Sequence, residues 1–131
     1  MATFRLGEAA DLLGVSADTV RRLADAGTIR SRRTEGGQRV LDGRDLARYA
    51  ASLPVPARDG AGARASVRNR LPGIVTRVVK DRVSAQVEVR AGPFRLVSLI
   101  TREAVDALGL EPGSAVIATV KATNVGIEIA P

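Results

Sequence analysis

Residues 6–46 read LGEAADLLGVSADTVRRLADAGTIRSRRTEGGQRVLDGRDL, and this stretch decides the fold of the first half of the chain. Its apolar residues recur at helical spacing in two runs that Gly14 separates. Ser16 stands just before the second run, where its hydroxyl can accept the free amides of a first helical turn. The pattern predicts a helix over residues 5–13 and a second helix over residues 17–26.

A basic hairpin and a third helix are predicted to follow. Two glycines stand between basic arms in residues 30–40, a pattern typical of a tight turn between two short strands. Asp42 stands where the third helix begins, and Asp45 follows at the spacing of a helix capping box. This order of elements indicates a winged helix-turn-helix, in which the second helix enters the major groove of DNA.

The stretch from Leu6 to Leu46 resembles the MerR-like winged helix-turn-helix family, particularly its small single-module regulators and excisionase-type DNA binders. The resemblance implies binding of double-stranded DNA. The residues that it places at the DNA are Ser16, Thr19, Arg21 and Arg22 on the second helix and Arg33 and Arg39 on the wing. The chain departs from many larger members by reading Arg22-Leu23 where they carry an aromatic pair, and by lacking a long dimerising helix. Dimerisation is therefore expected from elsewhere in the chain.

The residues alone leave another interpretation of this half open. The arginines at positions 30, 32 and 33 would then be a solvated surface, and the helices a small packing module without a DNA partner. Salt dependence separates the two, because each arginine that contacts a phosphate releases a counterion.

The character of the sequence changes at residues 54–65, which read PVPARDGAGARA and show neither helical nor alternating apolar spacing. We predict a flexible linker there, between a DNA-binding domain over residues 1–53 and a second domain over residues 66–131. Beyond the linker, apolar residues alternate as they do in strands. The predicted strands cover residues 74–78, 83–89, 94–100, 115–120 and 125–129, with one short helix over residues 102–108. The predicted fold class is α+β in two modules, mainly α in the first and an all-β, OB-like barrel with one short helix in the second.

The second module resembles the molbindin or Mop domain, a molybdate-binding relative of TOBE domains. Four motifs between Ser66 and Ile129 carry the resemblance, namely SVRN, the IT before the short helix, LGLEPG and VKATNVGIEI. It implies an OB-like barrel that assembles as a dimer or as a trimer of dimers, with tetrahedral oxyanions held where subunits meet. The residues that it assigns to the oxyanion are Ser66, Arg68, Asn69, Thr101, Lys121, Ala122 and Thr123. Val67 departs from the family pattern, which has a smaller residue there.

The chemistry of these residues agrees with an oxyanion ligand. Molybdate or tungstate is a dianion that only accepts hydrogen bonds, so its site needs cations, hydroxyl donors and free amides but no carboxylate. Arg68 and Lys121 supply cations, and the serine and threonines supply hydroxyl groups. No bare metal ion and no catalytic cofactor are required, because the metal arrives already bound to oxygen.

Composition narrows the function further. The 131 residues include no Cys and no His, which removes thiol nucleophiles, imidazole bases and zinc sites, and we expect the protein not to be an enzyme. A net charge of +6 and a pI near 11.1 favour anionic partners. No apolar run is long enough to cross a membrane and no leader pattern is present, so we expect a cytoplasmic protein.

The two modules together lead to the hypothesis of a molybdate- or tungstate-responsive transcription regulator that forms a homo-oligomer through its second domain. One alternative is a molybdate storage or buffering protein whose first domain only tethers it to DNA. Another is a constitutive DNA-binding protein with a vestigial anion site.

Overall fold

The chain divides into two compact units, Met1–Ala57 and Arg58–Pro131. The structure is a computed structural model that describes residues 2–54 and 65–131. The predicted linker over residues 54–65 lies outside the described residues, except for its two end positions.

The first unit combines three helices with a small sheet. Its elements are β1 (Thr3–Arg5), α1 (Leu6–Leu13), α2 (Ala17–Asp25), β2 (Ser31–Arg33), β3 (Arg39–Asp42) and α3 (Gly43–Ser52). The three strands are antiparallel in the order β1-β3-β2. The predicted helices and the hairpin, which we call the wing (β2, β3 and their turn), are confirmed. Strand β1 was not predicted, because three residues are too few to show an alternation.

Local signals set the bounds of α1 and α2. Gly14 ends α1 in the left-handed conformation with φ 69°, where a residue without Cβ is favoured. Ser16 caps α2, because its Oγ accepts the amide of Thr19 at 3.1 Å. The two helices pack through small side chains, and the buried core of the unit consists of Ala9, Ala10, Val20, Ala24, Ile29, Leu41 and Leu46.

Helix α3 begins as predicted but without the predicted capping box. The carboxylate of Asp42 accepts the amides of Arg44 at 2.8 Å and Asp45 at 3.1 Å. The carboxylate of Asp45 instead accepts the backbone amide of Arg30 at 2.8 Å and its Nε at 2.9 Å. Asp45 is 5% exposed, and a buried carboxylate gains more from a cation and an amide than from a solvated cap.

The ion pair between the buried Asp45 and the exposed Arg30 predicts a specific pH dependence of stability. The hydrogen bonds from Arg30 lower the pKa of Asp45 to about 2. Because the folded value is depressed, the stabilisation is fully present above the unfolded pKa of about 4 and is lost as the pH falls through about 2. We expect Asp45→Asn to lower the midpoint of thermal unfolding by about 5 °C or more at pH 7. The difference from wild type should shrink between pH 4 and 2, as followed by helical circular dichroism.

The control for this prediction is Glu35→Gln, which neutralises a carboxylate on the exposed turn of the wing. It should change the midpoint little at any pH in this range. A difference between wild type and Asp45→Asn that stays constant down to pH 2 would contradict the assigned role.

The second unit is an antiparallel sheet with one short helix. Its elements are β4 (Asn69–Lys80), β5 (Ser84–Ala91), β6 (Phe94–Thr101), α4 (Arg102–Leu108), β7 (Ala115–Val120) and a 3₁₀ turn (Ala122–Asn124). The strand order is β6-β5-β4-β7. Val105 of α4 is buried with the inward side chains of β4 and β5. The predicted α+β fold class is confirmed.

Strand β4 pairs with two neighbouring strands in succession. Its first half pairs with β7 and its second half with β5, and Ile74 pairs with both Ala115 and Arg90. Gly73 precedes this crossing, where a Cβ would lie 2.4 Å from the carbonyl oxygen of Arg90. Glycine therefore permits the close approach of β5 at the point where β4 changes partner.

The predicted strand over residues 125–129 is wrong for the single chain. These residues pair with no strand in the described part of the chain, and the sheet has no hydrogen bonds between β6 and β7. The alternation is nevertheless present, with Ile127 88% and Ile129 92% exposed. An extended segment forms a strand only when its backbone pairs with the edge strand of a sheet, and no edge strand of the described residues pairs with residues 125–129.

Candidate functional site

The amino end of α2 presents two hydroxyl groups that the sequence assigns to DNA. Ser16 and Thr19 lie one turn apart, and their hydroxyl oxygens are 2.9 Å apart in a hydrogen bond. Ser16 also caps the helix, so its side chain already has a structural role. Ser16 is exposed and Thr19 is half-buried. Both lie at the end of α2 that would enter a groove of DNA first.

Two arginines continue along the same helix. Arg21 pairs with Asp18 one turn earlier, and the two side chains are 53% and 79% exposed. Exposed pairs of this kind contribute little, so this one can open for a phosphate at small cost. Arg22 is exposed and forms none of the ion pairs found in residues 2–54.

The wing holds its two predicted arginines differently. Arg33 donates from Nη1 to the carbonyl of Gly37 at 2.9 Å, which holds the guanidinium at the exposed turn. Arg39 is only 20% exposed and donates to Asp25 at 2.6 Å, so its guanidinium points towards α2. The structure therefore brings Arg33 to the surface of the wing but turns Arg39 inward.

Sequence reasoning missed Arg32 as a candidate. It pairs with Val40 in the sheet, on the face opposite to Ser31 and the buried Leu41. Arg32 is exposed there. The signal that identifies it is the strand alternation, which places Arg32 on the outer face once the register of the wing is known.

The candidate oxyanion residues of the second unit fall into two groups. Asn69 pairs with Val120 across β4 and β7, and its side-chain amide donates to the Val120 carbonyl at 2.9 Å. This pairing brings the SVRN motif next to the start of the 3₁₀ turn. The first group, which we call the Lys121 cluster, consists of Ser66, Arg68, Asn69, Lys121, Ala122 and Thr123.

The Lys121 cluster has the donors that an oxyanion needs. Lys121 is exposed and takes part in no ion pair within the described ranges. The amides of Ala122 and Thr123 open the 3₁₀ turn, where the first N–H groups have no acceptor inside the turn. Residues 65–70 and 119–125 contain no carboxylate. The cluster is therefore cationic and rich in donors.

Thr101 forms the second group by itself. It pairs with Ser84, beside the end of β4 opposite to Asn69. Its Oγ1 accepts the amide of Ala104 at 3.1 Å and caps α4, which leaves its proton free to donate. No strand pairing of the described residues links Thr101 to the Lys121 cluster.

The sequence interpretation also missed Arg70. This half-buried residue pairs with Thr119, directly beside the Asn69–Val120 pair. The motif SVRNR contains it, but only the register with β7 places it near the Lys121 cluster.

Across residues 2–54 and 65–131, no group of three or more His, Cys, Asp or Glu side chains is arranged to hold a metal ion. Within the same ranges, no helix is long and apolar enough to cross a membrane.

Comparison with known families assigns both units. The model of a helix-turn-helix domain matches residues 3–54, and the model of the TOBE domain matches residues 65–127. These matches define a class of protein in which an excisionase-type helix-turn-helix precedes a TOBE domain, and they agree with the predicted OB-like fold of the second unit. No curated protein matches the chain significantly.

Solved structures resemble the second half of the chain. A molybdate-binding protein from Sporomusa ovata is 37% identical, with 50% of this chain and 97% of that chain covered and a TM-score of 0.49. MopII from Clostridium pasteurianum, in an apo form, is 36% identical over 50% and 98%, with a TM-score of 0.47. The cytoplasmic molybdate-binding protein ModG, with molybdate bound, is 38% identical over 50% and 47%, with a TM-score of 0.45. The match of the TOBE domain model, with 37% identity over 97% of the first of these proteins, shows that this chain belongs to the TOBE domain family.

Proposed function

We propose that this protein is a molybdate- or tungstate-responsive DNA-binding transcription regulator. The observation that carries the proposal is the joining of a helix-turn-helix domain to a TOBE domain that is 37% identical to a molybdate-binding protein. The first unit binds duplex DNA, the second binds the oxyanion, and the bound oxyanion changes the affinity for DNA.

The DNA-binding surface consists of α2 and the wing. Arg21 and Arg22 lie on the helix, and Arg32 and Arg33 lie on the wing, so cations stand on both elements that a winged helix-turn-helix presents to a duplex. Such contacts position the protein on the phosphates, while Ser16 and Thr19 are the side chains placed to reach base edges.

Removing one of these cations should weaken DNA binding in a salt-dependent way. We expect Arg22→Ala to lower the affinity for duplex DNA and to reduce the slope of log K against log salt by about one, because each neutralised phosphate contributes about 0.9. Fluorescence anisotropy over a range of salt concentrations measures both quantities. Arg82→Ala, which removes an exposed cation from the second unit, should leave the slope unchanged. Equal slopes for wild type and Arg22→Ala would remove this residue from the interface.

The oxyanion site is completed between subunits. The Lys121 cluster supplies an ammonium, a guanidinium, hydroxyl groups and free amides on one chain, and Thr101 lies beside the opposite end of β4. A second copy brings its Thr101 to this cluster and encloses the dianion among donors only. The absence of carboxylates from the cluster supports this ligand class.

Exposed apolar surface supports assembly through the second unit. Apart from Leu12, the exposed large apolar side chains of the described residues all lie in this unit, and they are Ile74, Val79, Val83, Phe94, Val97, Leu99, Leu108, Ile117, Val125, Ile127 and Ile129. Apolar surface of this extent marks an interaction site. The apolar alternation of residues 125–129 fits a strand that pairs with the sheet edge of a second copy.

Calorimetry and DNA binding together test the proposed function. Titration with molybdate and tungstate should give heat and a saturable stoichiometry, with sulfate as the competitor of the same charge and shape. The affinity for mixed-sequence duplex DNA, measured with and without molybdate, should differ by about 5- to 150-fold, the usual range of coupling between two sites. Molybdate binding without any change in DNA affinity would favour the storage function instead. The absence of heat with either oxyanion would leave a constitutive DNA-binding protein.

A further inference from the structure

Arg39 lies on the same face of β3 as the buried Leu41, and two contacts hold its side chain there. It opens β3 directly opposite Arg33, and two like charges in such a pair repel each other. Its Nε donates to the Oγ of Ser31 at 3.0 Å and its Nη1 to the Oδ1 of Asp25 at 2.6 Å. The side chain is 20% exposed. The guanidinium is thus committed to partners inside the unit.

Asp25 is the other half of this contact. It is the last residue of α2, where the carbonyl end of the helix dipole disfavours a negative charge. A nearby cation offsets that cost, and Arg39 is the cation that the fold supplies. The pair therefore joins the carboxyl end of α2 to the first residue of β3, which are separated by 13 residues of loop, strand and turn (39 − 25 − 1).

We propose that Arg39 is a positioning residue that fixes the wing relative to α2, and that it does not contact a DNA phosphate. The inference rests on the proposed DNA binding. The cations on the wing and those on α2 belong to separate elements, and a duplex contacts both only when their spacing is correct. An Arg39–Asp25 ion pair that is already formed in the free protein fixes this spacing, and it therefore lowers the conformational entropy that binding would otherwise cost.

The proposal is tested by separating affinity from salt slope. We expect Arg39→Ala to lower the affinity for duplex DNA by about 3- to 10-fold, the cost of ordering one released side chain or more, while the salt slope stays that of wild type. Asp25→Ala should lower the affinity by a similar factor, although it removes a negative charge. The double variant should bind about as weakly as either single variant, because both remove the same contact.

Asp18→Ala is the matched control, since it removes a paired carboxylate from the same helix without affecting the wing. It should leave DNA affinity unchanged or raise it. If Arg39→Ala lowers the slope by about 0.9 and Asp25→Ala strengthens binding, Arg39 contacts a phosphate and the proposal is wrong.

Hydrogen exchange in the free protein provides a readout that needs no DNA. Arg39→Ala should speed amide exchange in residues 31–42 relative to α1, and the milder Asp25→Asn should do so by a smaller factor. Unchanged exchange in both variants would contradict the positioning role of Arg39 even if DNA binding is weakened. If wild type binds no duplex at all, the proposed function fails, and the exchange result still decides the role of Arg39.

Discussion

Ile127→Asp is expected to convert the proposed oligomer to monomers and to abolish the proposed molybdate binding with it. Ile127 is 88% exposed in the single chain, next to Ile129 at 92%, in a segment whose backbone has no strand partner among the described residues. An apolar side chain in this position is stabilised when a second copy covers it. In the proposed interface an aspartate there would be removed from water, and burying a charge costs several kcal/mol.

The measurements are sedimentation velocity for the mass and calorimetry for the oxyanion. Ile127→Val is the matched control, because it keeps an apolar β-branched side chain, and it should keep both the mass and the binding. If Ile127→Asp remains an oligomer with full molybdate affinity, neither the role of residues 125–129 nor the shared site is correct. Monomers that still bind molybdate would support the role of residues 125–129 in assembly but would place the whole oxyanion site in one chain.

Lys121→Ala should lower the affinity for molybdate by roughly 10- to 150-fold, which corresponds to about 1.5–3 kcal/mol for a hydrogen bond to a charged group. Lys121 stands at the start of the 3₁₀ turn, beside free amides and in a stretch of sequence, residues 119–125, without a carboxylate. Removing the ammonium leaves the dianion with fewer charge-assisted donors. Calorimetry with molybdate and with tungstate measures the loss.

The chain provides its own control in Lys80, its other lysine. Lys80 pairs with Asp106 at 3.1 Å near the far end of β4, so Lys80→Ala removes the same charge from a different place. We expect it to leave the oxyanion affinity within about twofold of wild type, since an exposed pair contributes little. Equal losses in both variants would mean that net charge, and not the Lys121 cluster, governs binding.

Prediction from the sequence succeeded where the signal is local. Gly14 and Ser16 mark helix ends through their own backbone and hydroxyl chemistry, and the structure confirms both. Prediction failed where the partner is distant along the chain. The carboxylate of Asp45 was expected to cap helix α3, but it binds Arg30, 15 residues earlier in the chain. A buried carboxylate is stabilised more by charge-assisted hydrogen bonds than by a neutral cap.

The candidate sites divide in the same way. The residue types of the Lys121 cluster are evident from the SVRN and VKATN motifs, and their adjacency follows from the pairing of Asn69 with Val120. The position of Thr101, beside the end of β4 opposite to Asn69, depends on the length of β4 and the register of three strands, which no local pattern shows. The inward turn of Arg39 likewise depends on where α2 ends relative to the wing.

Residue chemistry alone determined which groups this protein can offer: arginines on a helix and a hairpin, hydroxyl and cationic donors in a second module, and no thiol or imidazole. Tertiary structure decided which of those groups can bind a ligand, because strand register and burial place some of them in internal ion pairs. Among the described residues, it also leaves the apolar segment 125–129 without a strand partner, since a strand forms only where another backbone lies beside it.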